Sequence, residues 1–263
     1  MTMKVGRIPY LSCEPFYFDM VRRDMVLCDL APRALAAAAA RGEIDAGPVP
    51  LADCFRLQDR FRLLAGFCVA TIRQAVSVVL HARRPLQELV GARIGIPEDA
   101  ATSFQLLQLL LSIKYQVQPE AYVMFADPPD ADAVLLIGNQ GLRRRYRMRG
   151  YPHVYDLGEE WYQWTGLPFV FAHWVVRRDI EPEAVVALEE SLYAGLQDWA
   201  DGLFHLAAAR DDLAMDARDM LTYTQGIRYF VGRPEQRAIE CFRGYLAQLE
   251  AGAGREPHHP GER

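Results

Sequence analysis

Apolar positions along the chain fall into two kinds of pattern. Short, continuously apolar or β-branched runs at residues 4–11 (KVGRIPYL), 74–81 (QAVSVVLH), 89–96 (LVGARIGI), 134–137 and 169–176 predict buried strands. Between them lie stretches with helical spacing. PFYFDMVRRDM begins at Pro15, RALAAAAARGE is opened by Pro32 and closed by Gly42, and a further short helix follows the proline-broken IDAGPVP. TSFQLLQLLLSIKYQ starts at Thr102, and Leu142 opens a very basic helix, RRRYRMR. Beyond Glu181 the pattern predicts helices alone, over residues 182–210, 217–232 and 234–252, and the tail EPHHPGER is expected to be disordered. Strands that alternate with helices imply parallel sheets, with ligands bound beyond the carboxyl ends of the strands. No internal repeat or low-complexity linker separates two tethered domains.

With 263 residues, 51% hydrophobic and 24% charged, the chain can bury one large core or two smaller ones. A formal net charge of -5 supplies no cationic field to draw in nucleic acid or an anionic membrane. The five cysteines, odd in number and never in a C-x-x-C pair, suggest neither a disulfide framework nor a zinc ribbon. A reducing compartment fits, and with no apolar run of membrane-spanning length and no leader pattern before VGRIPYL the expected location is cytoplasmic.

Several chemistries leave no trace. There is no G-x-G-x-x-G after the first strand, no G-x-x-x-x-G-K-[ST], no G-x-S-x-G and no H-E-x-x-H. His81, His153, His173 and His205 are scattered, so no metal and no cofactor is expected. Cys13, after the first strand, reads either as a nucleophile at a helix start or as a small buried residue, the blander of the two. Residues 143–149 read as the solvated face of a helix or as an anion patch. EEWYQWTGLPFVFAHW concentrates aromatic rings around a Gly-Leu-Pro turn, as either core or the wall of a ligand site.

Four stretches, VGRIPYLSCEP, GEIDAGPVPLADCF, GARIGIPEDAATSFQLLQLLL and DLGEEWYQWTGLPFVFAHW, occur in an order that resembles the MqnA family, the chorismate dehydratases of the futalosine route to menaquinone. The likeness runs over residues 4–232. It implies an α/β, two-lobed fold like the type II periplasmic binding proteins, with the ligand cleft between the lobes and two crossing strands joining them. One lobe would hold residues 1–80 plus 176–263 and the inserted lobe residues 81–175. It also implies a lyase that removes water from chorismate to give 3-(1-carboxyvinyloxy)benzoate, with the substrate's own enolpyruvyl carboxylate as base.

The resemblance directs attention to particular residues. Ser77 stands where the family uses a serine, and Ser12 stands where the Y/F-L-N-x-x-P motif has asparagine; here the chain reads Tyr10-Leu11-Ser12-Cys13-Glu14-Pro15. Ser12 and Ser77 are the expected catalytic pair. Serine keeps donor and acceptor ability but has a shorter reach than the amide, and Glu14 would bring negative charge near an anion. Thr102 and Ser103, opening a helix, would hold a carboxylate or simply cap. Asn139 follows a strand end, where it would reach substrate or form a turn. Pro48 in the IDAGPV loop and Trp164 in the aromatic run complete the expected binding set, while Asp45 more often steadies such a loop. Other readings are a non-catalytic binder of small aromatic carboxylates with the same fold, and an enzyme like 1,4-dihydroxy-6-naphthoate synthase. The expected partner is a small anionic molecule, with neither nucleic acid nor membrane involved; an apolar carboxy-terminal helix face leaves the oligomeric state open.

Overall fold

β1 (Lys4–Arg7), its central Val5 and Gly6 both buried, runs into two short 3-10 turns, Leu11–Tyr17 and Met20–Arg23, before β2 (Val26–Asp29). The computed structural model describes residues 2–125, 130–202 and 210–253. Pro32 starts α1 (Pro32–Arg41), and Gly42, in the left-handed region at φ 75°, ends it by donating its amide to the Ala38 and Ala39 carbonyls. β3 (Ala46–Pro50) leads directly into the single turn α2 (Leu51–Cys54), and β4 (Phe61–Thr71) follows.

The chain then crosses to a second sheet. There it forms β5 (Val79–Ala82), β6 (Arg93–Pro97), α3 (Thr102–Leu109) with a wider final turn to Lys114, β7 (Ala121–Phe125), β8 (Ala133–Leu136), α4 (Gly138–Arg143), β9 (His153–Asp156) and α5 (Leu157–Thr165). It returns through β10 (Phe169–Arg177) to α6 (Pro182–Gly202), α7 (Ala217–Gly226), β11 (Ile227–Phe230) and α8 (Arg233–Ala253).

The first sheet has the order β11-β4-β10-β3-β1-β2 and the second β7-β6-β8-β5-β9. Both are mixed, not wholly parallel: β1 runs parallel to β2 and β3, but β10 is antiparallel to both of its neighbours, and β5 is antiparallel to β8 and β9. The first sheet draws its strands from residues 4–71 and 169–230, and the second from residues 79–156. β10 therefore lies wholly in the first sheet, whereas a division at 175 and 176 would cut it. One core, with Phe16, Leu35, Trp174 and Leu188, packs around the first sheet. Another runs from Cys68, Ala70 and Phe169 into Leu80, Ile94 and Leu135 of the second sheet, and Phe242 of α8 joins it, so apolar contact is continuous across the junction.

Local expectations fail where tertiary contacts override them. The segment expected as one helix from Pro15 forms the two 3-10 turns, and left-handed Asp24 stops the second. Residues 89–92 turn around left-handed Gly91 instead of extending β6. The stretch expected as helix over 217–232 divides into α7 and β11, because residues 227–230 pair with β4. The end of the long helix expected over 182–210 and the tail expected to be disordered fall on residues 203–209 and 254–263, outside the described residues.

Candidate functional site

The crossing segments bring the two sheets together around an empty cleft of about 660 Å³, its open mouth included. Each wall comes from the end of an element. The turn after β1 contributes Tyr10, Ser12 and Cys13, the end of β4 contributes Thr71, the segment before β5 contributes Ser77, the start of α3 contributes Thr102 and Ser103, and α7 contributes Tyr223. Ile8, Val69, Ile137 and Phe171 supply apolar faces. Among the described residues lining the cleft none carries a charged side chain; its polar groups are almost all hydroxyls.

Ser77 owes its position to a strained turn. Val76 lies in the left-handed region at φ 60°, an uncommon conformation for a β-branched residue. The Asp156 carboxylate holds that turn by accepting the amides of Ala75 at 2.9 Å and Val76 at 2.6 Å. Its Oδ1 also accepts Gly158 and Glu159, at 2.9 and 3.0 Å, which caps α5. Burial pushes the Asp156 pKa up, against these four amides, which pull it down. On the other side α4 approaches so closely that a Cβ on Gly141 would lie 2.1 Å from the Ser77 carbonyl oxygen.

The Ser77 hydroxyl donates to the Ala75 carbonyl at 3.2 Å and accepts from the Tyr223 hydroxyl at 3.2 Å. Burial raises the Tyr223 pKa to about 12, while the Ser77 and Ser12 hydroxyls pull it down. Ser12 sits in the 3-10 turn, where its hydroxyl makes a weak contact with Cys13 Sγ at 3.9 Å besides acting on Tyr223. Burial pushes the Cys13 thiol to about 12 as well, so it stays protonated and acts as a small buried residue. Glu14 pairs with Arg210 at 3.3 Å, so its charge is matched there. Thr102 Oγ1 accepts the Ala52 amide at 3.3 Å, which ties the start of α2 to the start of α3, and buried Ser103 lines the cleft beside it.

Three expected binding residues lie elsewhere. Asn139, in α4, accepts the Leu11 amide and donates to the Pro9 carbonyl, both at 3.2 Å; its amide is spent as a clip between the lobes. Pro48 is buried in the middle of β3 opposite Trp174, and it is Pro50, at the strand's carboxyl end, that reaches the cleft. Trp164 stacks on Tyr245 of α8 with ring centroids 4.3 Å apart, outside the cleft. The aromatic run is accordingly mostly core: Trp161 and Trp174 are fully buried, Trp161 Nε1 donates to the Pro168 carbonyl at 3.0 Å, and from this run Phe171 faces the cleft. Asp45 accepts the Lys4 amide at 2.8 Å and pairs with Arg177 at 2.7 Å, the steadying role. In the basic stretch, Arg145 is buried against Asp219 at 2.5 Å and Arg143 donates to the Asp212 carbonyl at 2.6 Å, so two of its charges are occupied.

Tyr223 and Thr71 went unnoticed in the sequence, while Phe171 belongs to the aromatic run already read as core or cleft wall. Tyr223 sits in TYTQG, where a helical tyrosine reads as packing, and Thr71 ends a strand that was not predicted. Thr71 Oγ1 is buried without a hydrogen-bond partner. The lobes are closed over the cleft by three bridges: Tyr10 to Asp99, Arg33 to the Ala100 carbonyl at 2.7 Å, and the Asn139 clip. Among the described residues no group of three or more His, Cys, Asp or Glu is arranged to hold a metal ion, and no helix is long and apolar enough to cross a membrane.

Comparison with known proteins adds the rest. The architecture is similar to that of a protein from Archaeoglobus fulgidus, at TM-score 0.70 and 17% identity over 95% of this chain and 98% of that one. It is also similar to the alkanesulfonate-binding protein of Xanthomonas axonopodis pv. citri, at TM-score 0.61 and 14% identity over 95% and 92% of the two chains. At such identities the likeness establishes the fold, that of the periplasmic binding proteins. In sequence, the chain is 26% identical to the chorismate dehydratase of Thermus thermophilus, over 90% of this chain and 93% of that protein. It is 27% identical to the 1,4-dihydroxy-6-naphtoate synthase of the same organism, over 69% of each. The family model described as menaquinone biosynthesis matches residues 3–248, nearly the whole of the described chain, and the protein belongs to that family.

Proposed function

We propose that this protein is a chorismate dehydratase, which eliminates water from chorismate to give 3-(1-carboxyvinyloxy)benzoate. The observation that carries this reading is the cleft itself: closed, free of charged side chains among its described lining residues, and walled by apolar faces on which serine hydroxyls converge. Ile8, Val69, Ile137 and Phe171 offer apolar faces against which a cyclohexadiene ring would pack. Its carboxylates would be received at the start of α3, where the first helical amides have no partners within the helix and Thr102 and Ser103 add hydroxyls. A dianion held by amides and hydroxyls, not by lysines, keeps its own carboxylate basic enough to take a ring proton.

Loss of water aromatises the ring, so the protein's task is to orient groups and assist two proton movements. Ser12 and Ser77 stand where the departing hydroxyl and the enolpyruvyl arm would be fixed, and lobe closure excludes bulk water. The test is to incubate pure protein with chorismate and follow the aromatic product. Absence of product would overturn the reading. The match to the naphthoate-forming enzyme supports a second reading, so that enzyme's own substrate belongs in the same assay; its turnover alone, to 1,4-dihydroxy-6-naphthoate, would favour the second.

A further inference from the structure

Neither the sequence motifs nor the relatives' names single out Tyr223, yet it is the largest polar group lining the cleft that comes from the carboxy-terminal helices. Its ring is 4% exposed and packs in the first-sheet core, which fixes the direction of the hydroxyl. That hydroxyl donates to Ser77, whose own hydroxyl donates a hydrogen bond to the Ala75 carbonyl, and Ser12 lines the same cleft. The three side chains come from three separated parts of the chain, at 12, 77 and 223. Such convergence of hydroxyls, with no charged side chain among the described lining residues, leaves Tyr223 able to give up a proton without first losing a salt-bridge partner.

Resting on the proposed dehydration, we propose that Tyr223 is the catalytic acid of the site: its O–H proton goes to the hydroxyl leaving the ring, relayed by or shared with Ser12 and Ser77. The step balances. The electron pair of the ring C–H bond becomes the new ring double bond, the pair of the C–O bond leaves on oxygen, and the Tyr223 proton completes the water molecule. The phenolate then recovers the proton taken from carbon, delivered by the substrate carboxylate that accepted it, and the enzyme is restored. A phenol whose pKa is pushed to about 12 remains protonated across the neutral range, as a donor must, and is still more acidic than water. Serine alone is too weak an acid for this.

The experiment is Tyr223→Phe, which keeps the ring and its packing, measured beside the parent protein and Ser77→Ala with chorismate as substrate. Removing a positioned acid is expected to lower kcat about 100-fold or more and to change KM less than about threefold. The double variant Tyr223→Phe, Ser77→Ala should lose much less than the product of the single losses, because the two hydroxyls act through one hydrogen-bonded unit. A thermal melt within a few degrees of the parent shows that the fold survives. If the parent dehydrates chorismate and Tyr223→Phe does so with unchanged kcat, or loses only KM, this inference is overturned and the dehydratase reading stands. If the parent itself leaves chorismate unchanged, the dehydratase reading falls and takes the acid role with it.

Discussion

The Asp156 carboxylate lies 2.6 Å from the amide of Val76, one residue before Ser77, and that single contact links the carboxyl end of β9 to the candidate site. The same carboxyl group caps α5, so one side chain fixes both a helix start and a strained turn. Asp156→Ala should leave four amides unsatisfied and release Val76 from its left-handed conformation. The expected cost is about 2–4 kcal/mol, which urea unfolding would measure. Turnover should fall in the protein that remains folded, because Ser77 would no longer be held against Gly141. A variant with unchanged stability and activity would show that the turn is held by its neighbours instead.

Closure of the lobes depends on the absence of a side chain at position 138. A Cβ on Gly138 would lie 2.6 Å from the Tyr10 ring, and the residue's φ of 53° also disfavours any side chain. Gly138→Ala should therefore hold the lobes apart or displace Tyr10 from Asp99, raising KM about tenfold or more while the lobes themselves remain folded. Small-angle scattering would register the more open molecule.

Thr71 offers a test of which polar groups await a ligand. Its hydroxyl is buried and unpartnered in a residue that lines the cleft, an arrangement that costs stability. Thr71→Val, nearly isosteric, should leave thermal stability the same or raise it by about 1 kcal/mol. Substrate affinity should fall by about fivefold if the hydroxyl meets the ligand, a loss that calorimetry can read. Equal affinity in the two proteins would remove Thr71 from the site.

Histidine burial gives the protein a sensitivity to mild acid. Both ring nitrogens of His81, fully buried in β5, lack a hydrogen-bond partner, and burial lowers its pKa from 6.5. Burial also lowers the pKa of His173, against the opposing Trp174 carbonyl. The unfolded chain takes up protons below about pH 6.5 that the folded protein refuses. Stability is thus fully present above that pH and falls as pH drops from it towards the lowered folded values, by at most about 1.4 kcal/mol per pH unit for each histidine. Urea midpoints at pH 7 and 5.5 should differ, and His81→Phe should reduce the difference.

Much of the first level of organisation was written in the chain. Proline at the start and glycine at the end gave α1 its limits, whereas α5, capped by Asp156, was not among the helices predicted. The resemblance brought Ser12, Ser77, Thr102 and Ser103 into consideration, and the fold collects all four around one cleft. Less was legible in β4 and β11. β4 is interrupted by left-handed Gly66 and by register shifts, so it lacks regular alternation, and β11 follows α7 with no breaker beyond Gly226.

Asn139, Pro48 and Trp164 were chosen for residue type and for their place near a strand end or turn. Sequence position does not say what else a side chain meets, and here an interlobe clip, a neighbouring strand and Tyr245 take those groups. The sequence by itself determined the α/β pattern, the apolar content of the strands, the helix boundaries set by proline and glycine, and a shortlist of small hydroxyl residues. Only the tertiary structure decided which hydroxyls share a space, because Ser12, Ser77 and Tyr223 come from distant segments, Ser77 and Tyr223 alone being 146 residues apart, and no local rule of spacing encodes such contacts.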